Sequence, residues 1–233
     1  MPGIASGRST STDTDIMQPN SFSFARLILI AIFIYSSIAD SRAASLYVST
    51  LDKNGAPMAD VVVYATPLNG ALPPAAKTPP AVILQRDMQF SPYVTAIRAG
   101  TQIEFPNYDK MEHHVKSFSP AKEFEIKTYE RGVTPAPILF DRAGLVVVYC
   151  LLHNWMRAYV LVLETPYFVK SDINGQLQLD HLPEGQYKIE AWHPNLGSIK
   201  PPLSQIISIQ NNNTPVRFQF DFVPIARKSR NPA

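Results

Sequence analysis

The alternation of apolar and polar residues along the chain predicts β-strands. Short apolar runs recur from Ser45 onward, and turn signals such as Asn54-Gly55, Ala99-Gly100 and Asn174-Gly175 separate them. The stretch KEFEIKTY (122–129) alternates as a half-buried strand does. No stretch has a convincing helical period, and the 21 prolines suit loops and strand edges better than helices. We therefore predict an all-β chain of antiparallel sandwiches or barrels.

The spacing of these strands suggests how the chain divides. Strand follows strand through residues 81–164, whereas the flanks 44–80 and 165–224 hold only a few hairpins each. Within the first flank, residues 67–80 are rich in proline and alanine and are expected to form an exposed linker. Neither flank can bury a core alone, so we predict that they join into one small β-sandwich into which the central segment is inserted. Two independent domains in series are the alternative.

The two ends of the chain differ from the rest. Leu27 to Ala39 is an apolar run preceded by Arg26 and followed by small residues. It is shorter than the ~20 residues of a membrane span and is typical of a signal-peptide core. We therefore predict that residues 1–43 are a signal peptide, that the protein is periplasmic, and that it has no membrane attachment once this segment is removed. An uncleaved membrane anchor is the alternative, and residues 225–233 are predicted to be a basic tail.

Charge and cysteine content narrow the range of functions. The chain has 21 Lys+Arg against 19 Asp+Glu, a net charge of +2, which gives no strong positive field for nucleic acid. It has one cysteine, Cys150, which cannot form an internal disulfide in an oxidising compartment. A free thiol there requires another role, and metal ligation is the strongest one. A buried, small hydrophobic residue is the alternative.

The residues around this cysteine form a candidate metal-binding loop. Cys150, His153 and Met156 follow one another at intervals of three within YCLLHNWM. A thiolate, an imidazole and a thioether, completed by a second imidazole, are the ligands of a blue-copper site. Haem attachment needs Cys-x-x-Cys-His, and structural zinc sites usually need four Cys or His ligands. With one cysteine, the chain matches neither pattern.

The second imidazole is expected from His113 or His114, which stand just before the predicted strand HVKSFS. Neighbouring residues of a strand face opposite sides, so only one of the two can face the metal. Asp109 and Glu112 lie close enough in sequence to orient an imidazole through its second nitrogen.

These residues resemble the cupredoxins. The Cys-x2-His-x2-Met loop with an upstream histidine is similar to theirs, and its length is that of amicyanin-type proteins. The wider sequence over residues 81–195 resembles bacterial proteins described as plastocyanin-like or methylamine-utilisation-like. The turns at 172–175 and 182–187 are similar to those of the carboxypeptidase regulatory-like β-sandwich. The resemblance implies a cupredoxin-type Greek-key β-sandwich inserted in, or joined to, a second small β-sandwich.

The resemblance also implies a ligand set. The ligand histidine of cupredoxins is commonly followed by Asn-Val, and the pair after His113 is His-Val. This implies that His113, Cys150 and His153 bind one type 1 copper ion in a plane and that Met156 binds it axially.

The implied function is one-electron transport and not enzymatic catalysis. An apolar patch of Leu152, Trp155 and Pro106 is expected to contact a redox partner, either a cytochrome or a periplasmic dehydrogenase. A monomer is expected. The alternative, from a different class, is a non-redox β-sandwich binding module or a copper-handling protein of the cell envelope.

Overall fold

A computed structural model describes residues 3, 7, 8, 44–76, 78–210 and 215–225. Apart from residues 3, 7 and 8, the predicted signal peptide lies outside these ranges, as does the predicted tail beyond residue 225. The described residues from 44 onward belong to one compact unit. Within the described ranges, helical structure is a single 3₁₀ turn, Pro194–Leu196, and no helix has the length and apolarity needed to cross a membrane.

The described part of the chain is otherwise built from strands. The first flank contributes β1 (Ala44–Leu51) and β2 (Val62–Pro67). The central segment contributes β3 (Ala81–Val82), β4 (Leu84–Arg86), β5 (Gln89–Ser91), β6 (Val94–Arg98), β7 (Thr101–Glu104), β8 (His113–Ser119), β9 (Lys122–Tyr129), β10 (Ile138–Phe140), β11 (Gly144–Tyr149) and β12 (Arg157–Leu163). The second flank contributes β13 (Phe168–Lys170), β14 (Gln176–Leu182), β15 (Gly185–Trp192), β16 (Leu203–Ile209) and β17 (Val216–Gln219). The all-β prediction is confirmed.

The central strands form a five-stranded sheet, a three-stranded sheet and a hairpin. The larger sheet has the order β6-β12-β11-β8-β9, the smaller one has the order β10-β7-β3, and β4 pairs with β5. Side chains from both sheets and from the hairpin meet in one core, which includes Ile103, Val115, Phe140 and Val148. This arrangement is consistent with a cupredoxin-type sandwich.

Strands from the two flanks pair with each other across the central segment. One sheet has the order β14-β1-β17, and the other has the order β13-β2-β15-β16. These two sheets share a second core, with Val48, Val63, Ile189 and Phe218 among its buried residues. The architecture is therefore a β-sandwich joined to a second β-sandwich. The residue boundaries of the domains stay a prediction.

Strand β12 lies between the two cores. Its burial pattern shows one exposed residue followed by six buried ones. Ala158, Val160 and Val162 face the central core, whereas the alternate residues Tyr159 and Leu161 pack in the flank core. A strand buried on both faces reads as a continuous apolar run, and residues 158–163 (AYVLVL) form one. The strand that leaves the predicted metal loop is thus fixed from both sides.

Two aspartate-capped turns join the flank strands. The Asp52 carboxylate accepts hydrogen bonds from the main-chain N–H groups of Asn54 and Ala56, at 2.8 and 2.9 Å. Asp172 does the same for residues 174 and 176, at 2.9 and 2.8 Å. Gly175, in the second turn, has a φ of +67° and lies against the main chain of Thr50. This is a conformation and a space that suit glycine alone.

Candidate metal centre

The predicted ligand loop follows strand β11 and is closed by its own hydrogen bonds. The N–H of Cys150 donates to the carbonyl of Met156 at 3.0 Å, and the N–H of Met156 donates to the carbonyl of His153 at 2.9 Å. These bonds fold the chain back between Cys150 and β12. His113 opens β8, the strand next to β11, so both strands deliver residues to the same end of one sheet.

Three donor atoms converge at this end of the sheet. The Cys150 Sγ lies 3.7 Å from Nδ1 of His113 and 3.5 Å from Nδ1 of His153. The ligand atoms of all three residues fall within 4.8 Å of one another. With metal–sulfur and metal–nitrogen bonds of about 2.3 and 2.0 Å, donors around a single ion lie roughly 3.5–3.7 Å apart. The three residues therefore fit one metal ion.

Contacts between Cys150 and His113 shift the pKa of both residues. Burial opposes ionisation of the thiol, but hydrogen bonds from His113 and from the main-chain N–H groups of His114 and Leu152 outweigh it, so the pKa of Cys150 is lowered. Burial likewise opposes protonation of His113, but hydrogen bonds to Cys150 and Asp109 outweigh it and raise the pKa of His113. The lowered pKa favours the thiolate, which is the form of cysteine that binds metals, and metal binding to His113 displaces its proton.

The pKa of the second histidine, His153, is shifted in the opposite direction to that of His113. Burial, followed by the nearby charge of His113, lowers the pKa of His153. His153 is only half-buried. A neutral imidazole is the form that ligates metals, so this ring is ready to bind at neutral pH.

The structure brings His113, and not His114, to the cysteine. His113 is fully buried, and its Nε2 lies 2.6 Å from Oδ2 of Asp109, which leaves Nδ1 to face the sulfur. His114 points to the other side, where its Nε2 lies 2.9 Å from Oε1 of Glu125 on β9. Successive side chains of a strand point to opposite faces of the sheet, so His113 faces the cysteine and His114 faces away from it.

Met156 also lies at this site. Its side chain is buried and belongs to the same core cluster as Cys150. The thioether is therefore held within the protein and away from solvent. Its assignment as the axial ligand stays a prediction.

Asp109 is the acidic residue that contacts a predicted ligand. Its carboxylate meets His113, whereas the second candidate, Glu112, is exposed. The same carboxylate accepts hydrogen bonds from the main-chain N–H groups of Asp87 and Met88, at 2.6 and 2.9 Å. The sequence does not predict this turn, because Asp87-Met88 contains neither the glycine nor the asparagine that marks a tight hairpin turn.

The surface beside the site differs in part from expectation. Leu152 is exposed and Trp155 is half-buried, but Pro106 is buried and so adds nothing to an exposed patch. Its carbonyl accepts a hydrogen bond from the N–H of Gln85 at 3.0 Å, which holds this segment against the β4–β5 hairpin. Exposed apolar side chains on the loops that carry the two imidazoles include those of Tyr108, Met111, Leu151 and Leu152.

Comparison with solved structures finds likenesses to copper proteins. The chain is similar to a purple cupredoxin from Nitrosopumilus maritimus, with 23% identity and a TM-score of 0.33, over 36% of this chain and 99% of that chain. It is similar to a Cu(I) mutant of amicyanin, with 20% identity and a TM-score of 0.33, over 43% of this chain and 99% of that chain. It is also similar to a copper-containing nitrite reductase from Thermus scotoductus SA-01, with 23% identity and a TM-score of 0.36, over 42% of this chain and 25% of that chain.

No protein-family model matches the chain, and the search of curated proteins found no match. At these TM-scores the structural likenesses add no weight to a metal centre. What indicates one is the chain's own group of donor atoms, those of His113, Cys150 and His153.

Proposed function

We propose that this protein is a periplasmic type 1 copper protein that carries single electrons. The observation that supports this most directly is the convergence of one thiolate and two imidazoles at metal-ligand spacing. His113, Cys150 and His153 would hold the ion, with Met156 as the fourth donor. When bound, copper supplies a one-electron couple. The mixed sulfur and nitrogen donor set suits both of its oxidation states.

The chain's own part is to keep the donors in one arrangement. Cys150 and Met156 are tied by main-chain hydrogen bonds, and Asp109 holds the ring of His113. Donors that do not move between oxidation states keep the cost of electron exchange low. Four protein donors also leave no open position for a substrate, so we propose a carrier and not an enzyme.

The proposed partner surface is the end of the sandwich at which His153 lies. Among the three convergent residues, His153 is the one that is not fully buried, and Leu152 beside it is exposed. Exposed apolar side chains on the ligand loops give a patch suited to brief contact with a redox protein. The periplasmic location rests on the apolar segment Leu27 to Ala39.

A binding module is the second candidate, and one observation favours it. A cleft of about 450 Å³ lies between the metal loop and the flanking sandwich. Asn154, Trp155 and Arg157 line one side, and Pro194 and Asn195 line the other. In this function the metal site would be structural, or would hand copper on.

Visible absorption of the purified chain after addition of Cu(II) separates the two functions. A carrier shows an intense thiolate-to-copper band at roughly 600 nm, as expected for the blue-copper geometry. We expect the band to vanish in Cys150→Ser and to persist in the matched control His181→Asn, which alters an exposed histidine of the flank. A folded wild-type chain that stays colourless, with Cys150→Ser folding equally well, would favour the binding module.

A further inference from the structure

One tight turn contacts the surroundings of both imidazoles of the proposed centre. The turn is Asp87-Met88, between β4 and β5, and its main chain is hydrogen-bonded to Asp109 on one side and to Trp155 on the other. We propose that Asp109 and Trp155, both anchored on Met88, are positioning residues that fix the imidazoles of His113 and His153 relative to each other. This inference rests on the proposed function.

The link to His113 runs through a buried carboxylate. Oδ2 of Asp109 contacts Nε2 of His113 at 2.6 Å and accepts from the N–H of Met88 at 2.9 Å. Oδ1 accepts from the N–H of Asp87 at 2.6 Å. Asp109 is itself held, since its N–H donates to the side-chain oxygen of Asn107 at 2.9 Å. The ring of His113 therefore cannot rotate without breaking this set of bonds.

The link to His153 runs through an indole. Nε1–H of Trp155 donates to the carbonyl of Met88 at 3.2 Å. The indole packs on the ring of His153, with 5.3 Å between centroids and 59° between planes. The rings of His113 and His153 are themselves 4.9 Å apart. The main-chain N–H of Met88 is thus linked to His113 through Asp109, and its carbonyl is linked to His153 through Trp155. The contact between the two imidazole rings closes this ring of contacts.

The conformation of the turn supports a specific role. Asp87 and Met88 both have a φ of +54°, a backbone conformation that residues other than glycine rarely adopt. The Asp109 carboxylate accepts from both successive N–H groups, as anions do in main-chain nests, and this stabilises the turn. The strained residues are thereby held by the same group that holds His113. Strain kept in this way beside a site is a mark of function.

The test compares Trp155→Phe with Trp192→Phe. Both substitutions keep an aromatic ring and remove an indole N–H that donates to a carbonyl, of Met88 in the first case and of Gly197 in the second. We expect Trp155→Phe to lower Cu(II) affinity by about tenfold and to broaden the copper EPR spectrum, because outer contacts of ligating histidines tune metal affinity to this extent. Trp192→Phe should leave both unchanged. Asp109→Asn should behave like Trp155→Phe, and the double variant should lose less than the product of the two effects.

Imidazole NMR of the metal-free chain provides a readout that does not depend on copper. We expect the His153 ring signals to shift and broaden in Trp155→Phe and to match the wild type in Trp192→Phe. A wild-type copper affinity, EPR spectrum and imidazole spectrum in Trp155→Phe would overturn the inference. If the wild-type chain itself fails to bind copper, the proposed function fails instead. The imidazole spectra then decide on positioning by the same criterion.

Discussion

The two adjacent histidines of β8 have different contacts because their side chains point to opposite faces of the strand. His113 faces Cys150 and Asp109, whereas His114 faces Glu125 on the neighbouring strand. The side chain of His114 still has a buried Nδ1 without a hydrogen-bond partner. Its main-chain N–H, in contrast, donates to the cysteine sulfur and helps to stabilise the thiolate. The two residues therefore serve the site through different atoms.

Substitution of the two histidines tests this difference. His113→Gln should abolish tight Cu(II) binding, because it removes the Nδ1 donor. His114→Gln should bind copper with the wild-type stoichiometry, because the main-chain N–H remains. Metal content after dialysis is the measurement. Equal loss of copper in both variants would contradict the assignment of His113 over His114.

His193 gives a prediction for the dependence of stability on pH. Its ring is buried against Phe220 and Phe222, and burial lowers its pKa to about 4 despite the opposing charge of Asp60. An exposed histidine has a pKa near 6.5, so the unfolded chain binds the extra proton between pH 6.5 and 4. The stability linked to His193 is thus complete above pH 6.5 and is lost as the pH falls to about 4, by an amount on the order of 3 kcal/mol.

Urea unfolding between pH 4 and 7 measures this effect. His193→Asn keeps a side-chain acceptor for the N–H of Asn195 but does not titrate, so the decline in stability should be shallower than in the wild type. The control His181→Asn changes an exposed histidine and should follow the wild-type curve. An unchanged slope in His193→Asn would refute a proton-binding role for His193 in unfolding.

At the scale of elements, turns decide how closely the strands can approach. Gly175 would place a Cβ 2.4 Å from the carbonyl oxygen of Thr50, and its φ is +67°. Gly55, in the corresponding turn, has a φ of +81° but open space around it. The two positions separate the cost of the main-chain conformation from the cost of a steric clash.

Alanine substitution at both turns measures these costs. Gly55→Ala should destabilise the protein by about 1 kcal/mol, the cost of a left-handed conformation for a residue with a Cβ. Gly175→Ala should cost about 3 kcal/mol or more, because β1 and its partner turn must also move apart. Chemical denaturation of both variants is the measurement. Similar losses at the two positions would argue against close packing at Gly175.

The sequence predicts those strands and turns whose pattern lies within their own residues. Strand β9 shows strict alternation, and the turns at Asn54-Gly55 and Asn174-Gly175 carry recognisable residues. The Asp87-Met88 turn could not be predicted, because its stability comes from a carboxylate far along the chain and not from its own residues. The burial of Pro106 likewise depends on packing against the β4–β5 hairpin, which no local pattern records.

The candidate site was predictable to a similar extent. The spacing of the Cys150 loop predicts three of the four proposed ligands, and the resemblance to cupredoxins implies His113 as the fourth. The structure shows which of the two adjacent histidines faces the cysteine. The bridge from Trp155 to Met88 joins residues that are distant in sequence, and an indole beside a ligand loop does not indicate its own hydrogen-bond partner. Long-range contacts of this kind follow from the fold and not from motifs.

At the scale of the molecule, β12 contributes side chains to both sandwiches. Because its alternate side chains enter different cores, we expect disruption of the flank core to affect the strand that follows the Cys150 loop. Leu161 faces the flank core and is 7% exposed, whereas Leu139 on β10 is 42% exposed. The difference in burial makes these two leucines a matched pair for a test of coupling.

Thermal unfolding of the copper-loaded chain tests that coupling. Leu161→Ala should destabilise the protein by about 2–4 kcal/mol, as truncation of a core leucine does, whereas Leu139→Ala should cost much less. We expect circular dichroism and the copper absorption band to report one shared transition in both variants. Separate transitions for the two signals would show that the sandwiches unfold independently.

The central claim is that one cysteine sulfur and two histidine nitrogens bind a single copper ion. X-ray absorption at the copper edge, recorded on the chain loaded with one equivalent of copper, observes those ligands directly. We predict one short copper–sulfur bond and two imidazole nitrogens in the wild type, and no short copper–sulfur bond in Cys150→Ser. A copper shell of nitrogen and oxygen alone in the wild-type protein would contradict the account.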